Sequence, residues 1–203
     1  NINLIKDFPR EKYFDFINLN EEFKNLEAKN FYKYFIKAQD RLNLDKKNKI
    51  FKTHSCLGKI GDYKFTDRNN TLGFIYLIRD PRSVVISMTY QLGISLEEAT
   101  DLITNENNFA IEKGNNLRTL WSSWRLNYLS WKKSPYPRLI IKYEDLKINP
   151  IDTFKKLLIF LSKNLEINID ENIIKETILK CDFDKVKKEE IDKGFIEKVG
   201  KEF

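Results

Sequence analysis

Residues 74–87 read FIYLIRDPRSVVIS. Residues 74–78 are apolar or aromatic and read as a buried strand, with residues 73–79 as its full extent. Pro81 cannot continue a ladder, whereas Asp80 suits a helix cap and Pro81 a first helical position, so a helix is predicted over residues 81–91. A strand that feeds directly into a helix is the building unit of a parallel sheet. Arg79 stands at the strand's carboxyl end, and Ser87 follows eight residues later on the helix. A guanidinium, a hydroxyl and the free N–H groups of a helix start together suit a phosphate. An ion pair between Arg79 and Asp80 or another nearby carboxylate explains the same residues without any ligand, and both readings stay open.

The remaining elements follow the same alternation. Leu26, Phe31 and Phe35 recur near helical spacing, which predicts a helix over residues 30–42. KIFKTH, residues 49–54, reads as a strand after the polar DKKN. Ser95 with Glu98 three residues later is a capping box. Leu117, Trp121, Trp124, Tyr128 and Trp131 mark one face of a long helix. RLIIKY, residues 138–143, reads as a third strand, and Phe154, Leu157, Leu158 and Leu161 line one side of a helix over residues 151–161. Apolar strands alternating with helices predict an α/β fold, a parallel sheet covered on both faces. Ligands of such sheets sit beyond the carboxyl ends of the strands. Three polar clusters are expected there: Lys52-Thr53-His54, Arg79-Asp80 and Tyr143-Glu144-Asp145.

Bulk properties bound the function. A chain of 203 residues, 41% hydrophobic and 33% charged, is globular and long enough for one domain with a real core. The net charge of +6 (36 basic against 30 acidic residues) accommodates an anionic ligand and equally a plain soluble exterior. The lysines are scattered among acidic residues rather than drawn into a stripe, so nucleic-acid binding is not expected. Two cysteines, Cys56 and Cys181, form no disulfide framework and point to a reducing, cytoplasmic setting. No apolar run approaches the ~18 residues of a membrane span. One histidine and two distant cysteines cannot build the usual zinc sets, so no metal is expected. No G-x-S-x-G elbow occurs. GFIEKVGK, residues 194–201, has five residues between its glycines where a phosphate loop has four, and lacks the following Ser/Thr. His54, the lone histidine, is either a structural residue or a general base, with Lys52 two residues away to stabilise charge on a transferred group. The chain opens NINLIKDF with no initiator methionine, its only Met being Met88, and reads as a fragment.

These segments together resemble the sulfotransferases that use 3′-phosphoadenosine 5′-phosphosulfate (PAPS). IFKTH is similar to the family's Lys-Thr-His segment, and YLIRDPRSVVIS to its 3′-phosphate-binding strand and helix, including the Arg-to-Ser spacing. SSWRLNYLSW resembles its Trp-rich helix, in the form of bacterial members with Trp-Ser-Ser-Trp, and LIIKYEDLKINP its Tyr-Glu-Asp-Leu segment with the trailing Asn-Pro. Four segments occur in the family's order between Lys52 and Pro150. The resemblance implies a three-layer, P-loop-NTPase-like parallel sheet flanked by helices, here a partial domain over residues 1–203, truncated at both ends.

Carried over residue by residue, the resemblance implies that His54 is the general base for an acceptor hydroxyl (or amine) and that Lys52 lies near the transferring sulfuryl group. Arg79 and Ser87 would hold the 3′-phosphate, Tyr143 would contact the adenine, and Phe183 in CDFDKV would match an adenine-contacting segment, with Cys181 in place of a hydroxyl residue. Glu144 and Asp145 read as structural, fixing local backbone or the region of Arg79. Trp124 and Trp131 read as core, and Asn127 stands where many relatives carry His. The donor would be PAPS, the product 3′,5′-ADP (PAP), the acceptor a small molecule or glycan, and no metal would take part. The family's 5′-phosphosulfate loop should precede this sequence, since no glycine occurs before Gly58, and its C-terminal 3′-phosphate stretch should follow. The alternatives are a small-molecule kinase of the P-loop type, and a non-catalytic nucleotide-binding or interaction module in which His54 is idle.

Overall fold

The structure, a computed structural model, describes residues 3–5, 28–110 and 119–193. In chain order the elements are β1 (Asn3–Ile5), α1 (Ala28–Leu42), β2 (Lys49–Phe51), β3 (Lys59–Ile60), β4 (Tyr63–Lys64), β5 (Phe74–Ile78), α2 (Pro81–Leu92), α3 (Leu96–Thr104), β6 (Phe109–Ala110), β7 (Thr119–Leu120), α4 (Trp124–Lys132), β8 (Arg138–Lys142), α5 (Tyr143–Ile148), α6 (Pro150–Ser162), α7 (Glu171–Lys180) and α8 (Phe183–Lys193). β1 pairs in parallel with β2, in the register Leu4 to Ile50. β5 pairs with β8, and β3–β4 and β6–β7 are antiparallel ladders. Among the described residues helices and strands are interspersed, although β2 to β5 and then β6 and β7 follow one another without an intervening helix, and the fold is α/β.

The chain divides into two compact units, Asn1–Phe74 with Asp101–Arg138, and Ile75–Thr100 with Leu139–Phe203. The core of the first is aromatic. Tyr32, Phe35, Ala38 and Leu42 recur at three- and four-residue spacing, so one stripe of α1 is buried. A run of ring contacts leads from Tyr32 to Phe35 (4.9 Å between centroids), on to Phe65 (5.4 Å), to Trp131 (6.2 Å) and to Phe74 (4.8 Å). Edge-on and tilted geometries such as these are favoured by the ring quadrupoles. Gln39 is buried on the same stripe at 7% exposure, and its amide is satisfied by the Phe65 carbonyl (2.6 Å) and the Thr66 hydroxyl (2.5 Å).

In the second unit the predicted start of α2 is present in detail. Asp80 Oδ1 accepts from the backbone N–H of Arg82 at 2.9 Å, and Pro81 takes the first helical position. The helix stops at Gly93, whose φ of 66° is left-handed and whose N–H returns to the Thr89 carbonyl (3.0 Å). The capping box also forms: Glu98 Oε2 accepts from Ser95 N (2.8 Å) and Ser95 Oγ from Glu98 N (3.1 Å).

Three sequence expectations are corrected. β5 is not a buried strand: its residues are half-buried and Leu77 is 63% exposed. Among the described residues only β8 pairs with it. The KIFKTH strand ends at Phe51, three residues early, because residues 52–57 leave the ladder for contacts with β7 and α4 described below. The long tryptophan helix does not reach Trp121: Thr119 and Leu120 are extended, Ser122 takes a left-handed φ of 59°, and Ser123 caps α4 by accepting from Leu126 N (3.2 Å). Leu26, Leu117 and residues 194–201 lie outside the described residues.

Candidate functional site

The side chains expected to carry chemistry are held by different means in the two units. In the first, β2 delivers the chain into an irregular segment, residues 52–57. Exposure alternates along it: Lys52 and His54 are exposed, Thr53 is half-buried, and Ser55 is buried, followed by buried Cys56. Thr53 Oγ1 accepts from Ser55 N (3.1 Å), a local turn that sets the spacing between the two outward residues. The backbone behind them is held at successive positions. Asn127 Nδ2 donates to the His54 carbonyl (3.2 Å), Trp131 Nε1 to the Ser55 carbonyl (3.0 Å), Cys56 N to the Leu120 carbonyl (2.8 Å), and Leu57 N to Ser130 Oγ (2.9 Å). Ser130 passes its own proton to the Asn127 carbonyl (2.7 Å), so its hydroxyl is used in both directions. The His54 imidazole lies 6.0 Å, centroid to centroid, from the Trp121 indole at 56°. Cys56 behind it is pushed up to about 11 by burial and stays a thiol at neutral pH. Ordered backbone with outward side chains is the arrangement a general base and a charge-stabilising ammonium require.

In the second unit the side chains hold one another. Arg79, half-buried just past β5, lays its guanidinium 4.6 Å above the ring of Tyr143, the first residue of α5 after β8. Arg79 therefore meets Tyr143 because their parent strands are paired. The expected Arg79–Asp80 pair does not form. Asp80 is bound instead by Arg82, with Nη2 to Oδ2 at 2.6 Å and Nε to Oδ1 at 3.0 Å, and these bonds lower its carboxyl to about 2. Among the described residues no carboxylate pairs with Arg79. Stacking on an aromatic face leaves the in-plane N–H donors of a guanidinium directed outward. Ser87 is exposed on α2, and Phe183 is the first residue of α8. Glu144 and Asp145 are exposed in the first turn of α5, where negative charge suits the helix start, and the Asp145 carbonyl accepts from Asn149 N (2.9 Å) and Thr153 Oγ1 (3.1 Å).

Trp131 is core, as the sequence suggests, but it is also a strap on Ser55. Asn127 and Ser130 were not singled out as functional by sequence reasoning. Their signal is spacing: Asn127, Ser130 and Trp131 stand at i, i+3 and i+4, one face of α4. Among the described residues no cluster of three His, Cys, Asp or Glu side chains could hold a metal ion, and no helix is long and apolar enough to cross a membrane.

A family model described as "Sulfotransferase domain" matches residues 3–199. Cytosolic sulfotransferase 16 of Arabidopsis thaliana is 28% identical over 153 residues, 74% of this chain and 44% of that protein. Sulfotransferase 1B1 of Canis lupus familiaris is 32% identical over 111 residues, 53% of this chain and 36% of that protein. The chain thus spans less than half the length of these curated relatives. A crystal structure of mouse sulfotransferase SULT7A1 complexed with PAP superposes with a TM-score of 0.53 at 20% identity, covering 73% of this chain and 50% of that one. This likeness establishes a shared fold.

Proposed function

The chain belongs to the sulfotransferase-domain family, and from that premise we propose that the protein carrying it moves a sulfuryl group from PAPS to an acceptor hydroxyl. The observation that carries this reading is the segment 52–57: the only histidine of the chain is exposed on backbone fixed by hydrogen bonds from α4 and β7. His54 acts as general base. Its imidazole takes the acceptor proton as the acceptor oxygen forms its bond to sulfur. The bond from sulfur to the bridging phosphosulfate oxygen breaks, and its electron pair leaves on the phosphate of PAP. Lys52 offsets charge on the sulfuryl oxygens, a positioning and electrostatic role like that of lysines in phosphoryl transfer. Arg79, stacked on Tyr143 and unclaimed by Asp80, receives the 3′-phosphate together with Ser87, while Tyr143 and Phe183 serve the adenine. The donor's charges are met by protein groups without a metal. The acceptor is a small molecule or glycan, and the working compartment is the cytoplasm, in keeping with the plant relative's name.

The test is His54→Ala, assayed for transfer of radiolabelled sulfate from PAPS to a panel of phenols, alcohols and sugars, with PAP binding followed by calorimetry. Loss of general-base catalysis lowers kcat about 10²–10⁴-fold while PAP binding persists. Unchanged transfer would remove His54 from the mechanism. PAP binding with no transfer in the unaltered protein would favour a nucleotide-binding module.

A further inference from the structure

The carboxamide of Asn127 has two N–H bonds, and both are used on main chain: one reaches the His54 carbonyl (3.2 Å), the other the Trp121 carbonyl (2.9 Å). Both partners only accept, so the amide nitrogen, not the oxygen, must face them. Neither carbonyl belongs to a strand ladder, because β2 ends at Phe51 and β7 at Leu120. The two residues so joined are those whose rings stand 6.0 Å apart. On the Trp121 side the backbone is set independently: Trp121 N and Ser122 N both donate to the Asn108 carbonyl (3.0 Å each), and Ser122 Oγ donates to the Glu106 carbonyl (2.8 Å). Trp121 is thus a fixed post. Trp131 and Ser130 hold Ser55 and Leu57, which follow the histidine, whereas Asn127 grips the peptide of His54 itself.

We propose that Asn127 is a positioning residue for the transfer reaction, tying the backbone of His54 to that of Trp121 so that the imidazole keeps a fixed place against the indole. The proposal rests on the reading of His54 as general base. A displacement of about 1 Å of a reacting group costs on the order of 10²-fold in rate, so a tether on the peptide of the base has leverage without touching substrate. Aspartate at this position keeps the shape but has no N–H to give, and leucine keeps the bulk with no polar atom.

Because His54 is the only histidine, one set of imidazole signals reports on it. In the unaltered chain the nearby indole shifts those ring resonances from free-imidazole values. In Asn127→Asp and Asn127→Leu, chains confirmed as folded by thermal melts should lose most of that shift, whereas Asn127→Ser, which keeps a single donor, should retain part of it. This readout needs no acceptor. In the active protein, with PAPS as donor and 4-nitrophenol as acceptor, Asn127→Asp should lower kcat about tenfold or more while KM for PAPS stays within about twofold. The double variant His54→Ala/Asn127→Asp should be no slower than His54→Ala alone. Unchanged His54 resonances in the folded aspartate and leucine variants, or losses that multiply in the double variant, would overturn the role of Asn127 while leaving the base intact. Full activity of His54→Ala would instead overturn the base, and the proposal with it.

Discussion

The two places where chemistry-bearing side chains gather are fixed by opposite strategies. Around His54 the protein holds peptide groups: four consecutive residues, 54–57, are bonded through carbonyls or amides to α4 and β7, and the reactive side chains project from a backbone that cannot slide. Around Arg79 it holds side chains, with a guanidinium on a phenol ring and a neighbouring carboxylate occupied by Arg82. The difference matches the demands of the two proposed roles. A base must be placed to a fraction of an ångström for one atom, whereas a guanidinium binding phosphate tolerates adjustment because it offers several donors in one plane.

Substitutions act differently on the two regions. Arg79→Ala should weaken PAP binding about 10–100-fold, the worth of one charge-assisted contact, and Arg79→Lys should recover only part, since an ammonium lacks the planar stack on Tyr143; calorimetry reads both. Trp131→Phe should lower unfolding free energy by about 1–3 kcal/mol, because the ring contacts with Phe65 and Phe74 survive while the Ser55 carbonyl loses its donor; chemical denaturation measures it. The smallest effect is at Asp80. Its carboxyl is depressed in the folded chain from 3.8 to about 2 by its bonds to Arg82, so its stabilising contribution is complete above the unfolded value and is lost as pH falls from about 4 to 2. Asp80→Ala should flatten that window of the melting-temperature profile and leave neutral-pH binding of PAP in place.

The local grammar of the chain is legible in its sequence wherever one residue decides one geometry. Asp80-Pro81 and the Ser95–Glu98 box predict helix starts that the structure contains, since capping is a contact within a few residues. The tryptophan helix fails for a related reason. Its apolar spacing runs on through Trp121, but Ser122 in a left-handed conformation and Ser123 as cap break it, and the serine pair between two tryptophans is the cue. The exposure of Leu77 was not legible, because hydropathy marks a residue as apolar without saying whether a neighbour covers it. Nor was the choice of Arg82 over Arg79 by Asp80: both arginines stand within two positions of it, and only the helix start, which turns Arg82 back over its cap, decides between them. The grip on His54 shows in the sequence only as the spacing of its donors on α4, since what they hold, 73 positions away, is main chain that every residue shares.

Fastening through main-chain atoms shapes how this protein can change. The straps from α4 and β7 fasten on carbonyl oxygens and amide hydrogens of residues 54–57, so they do not read which side chains stand at positions 52 and 54, while Thr53 keeps its place in the turn. Replacing Lys52 or His54 alters the chemistry presented outward without loosening the ledge that presents it. The segment behaves as a socket: a mount that is indifferent to what is mounted, where new reactivity can be tried by single substitutions while the geometry around it is kept.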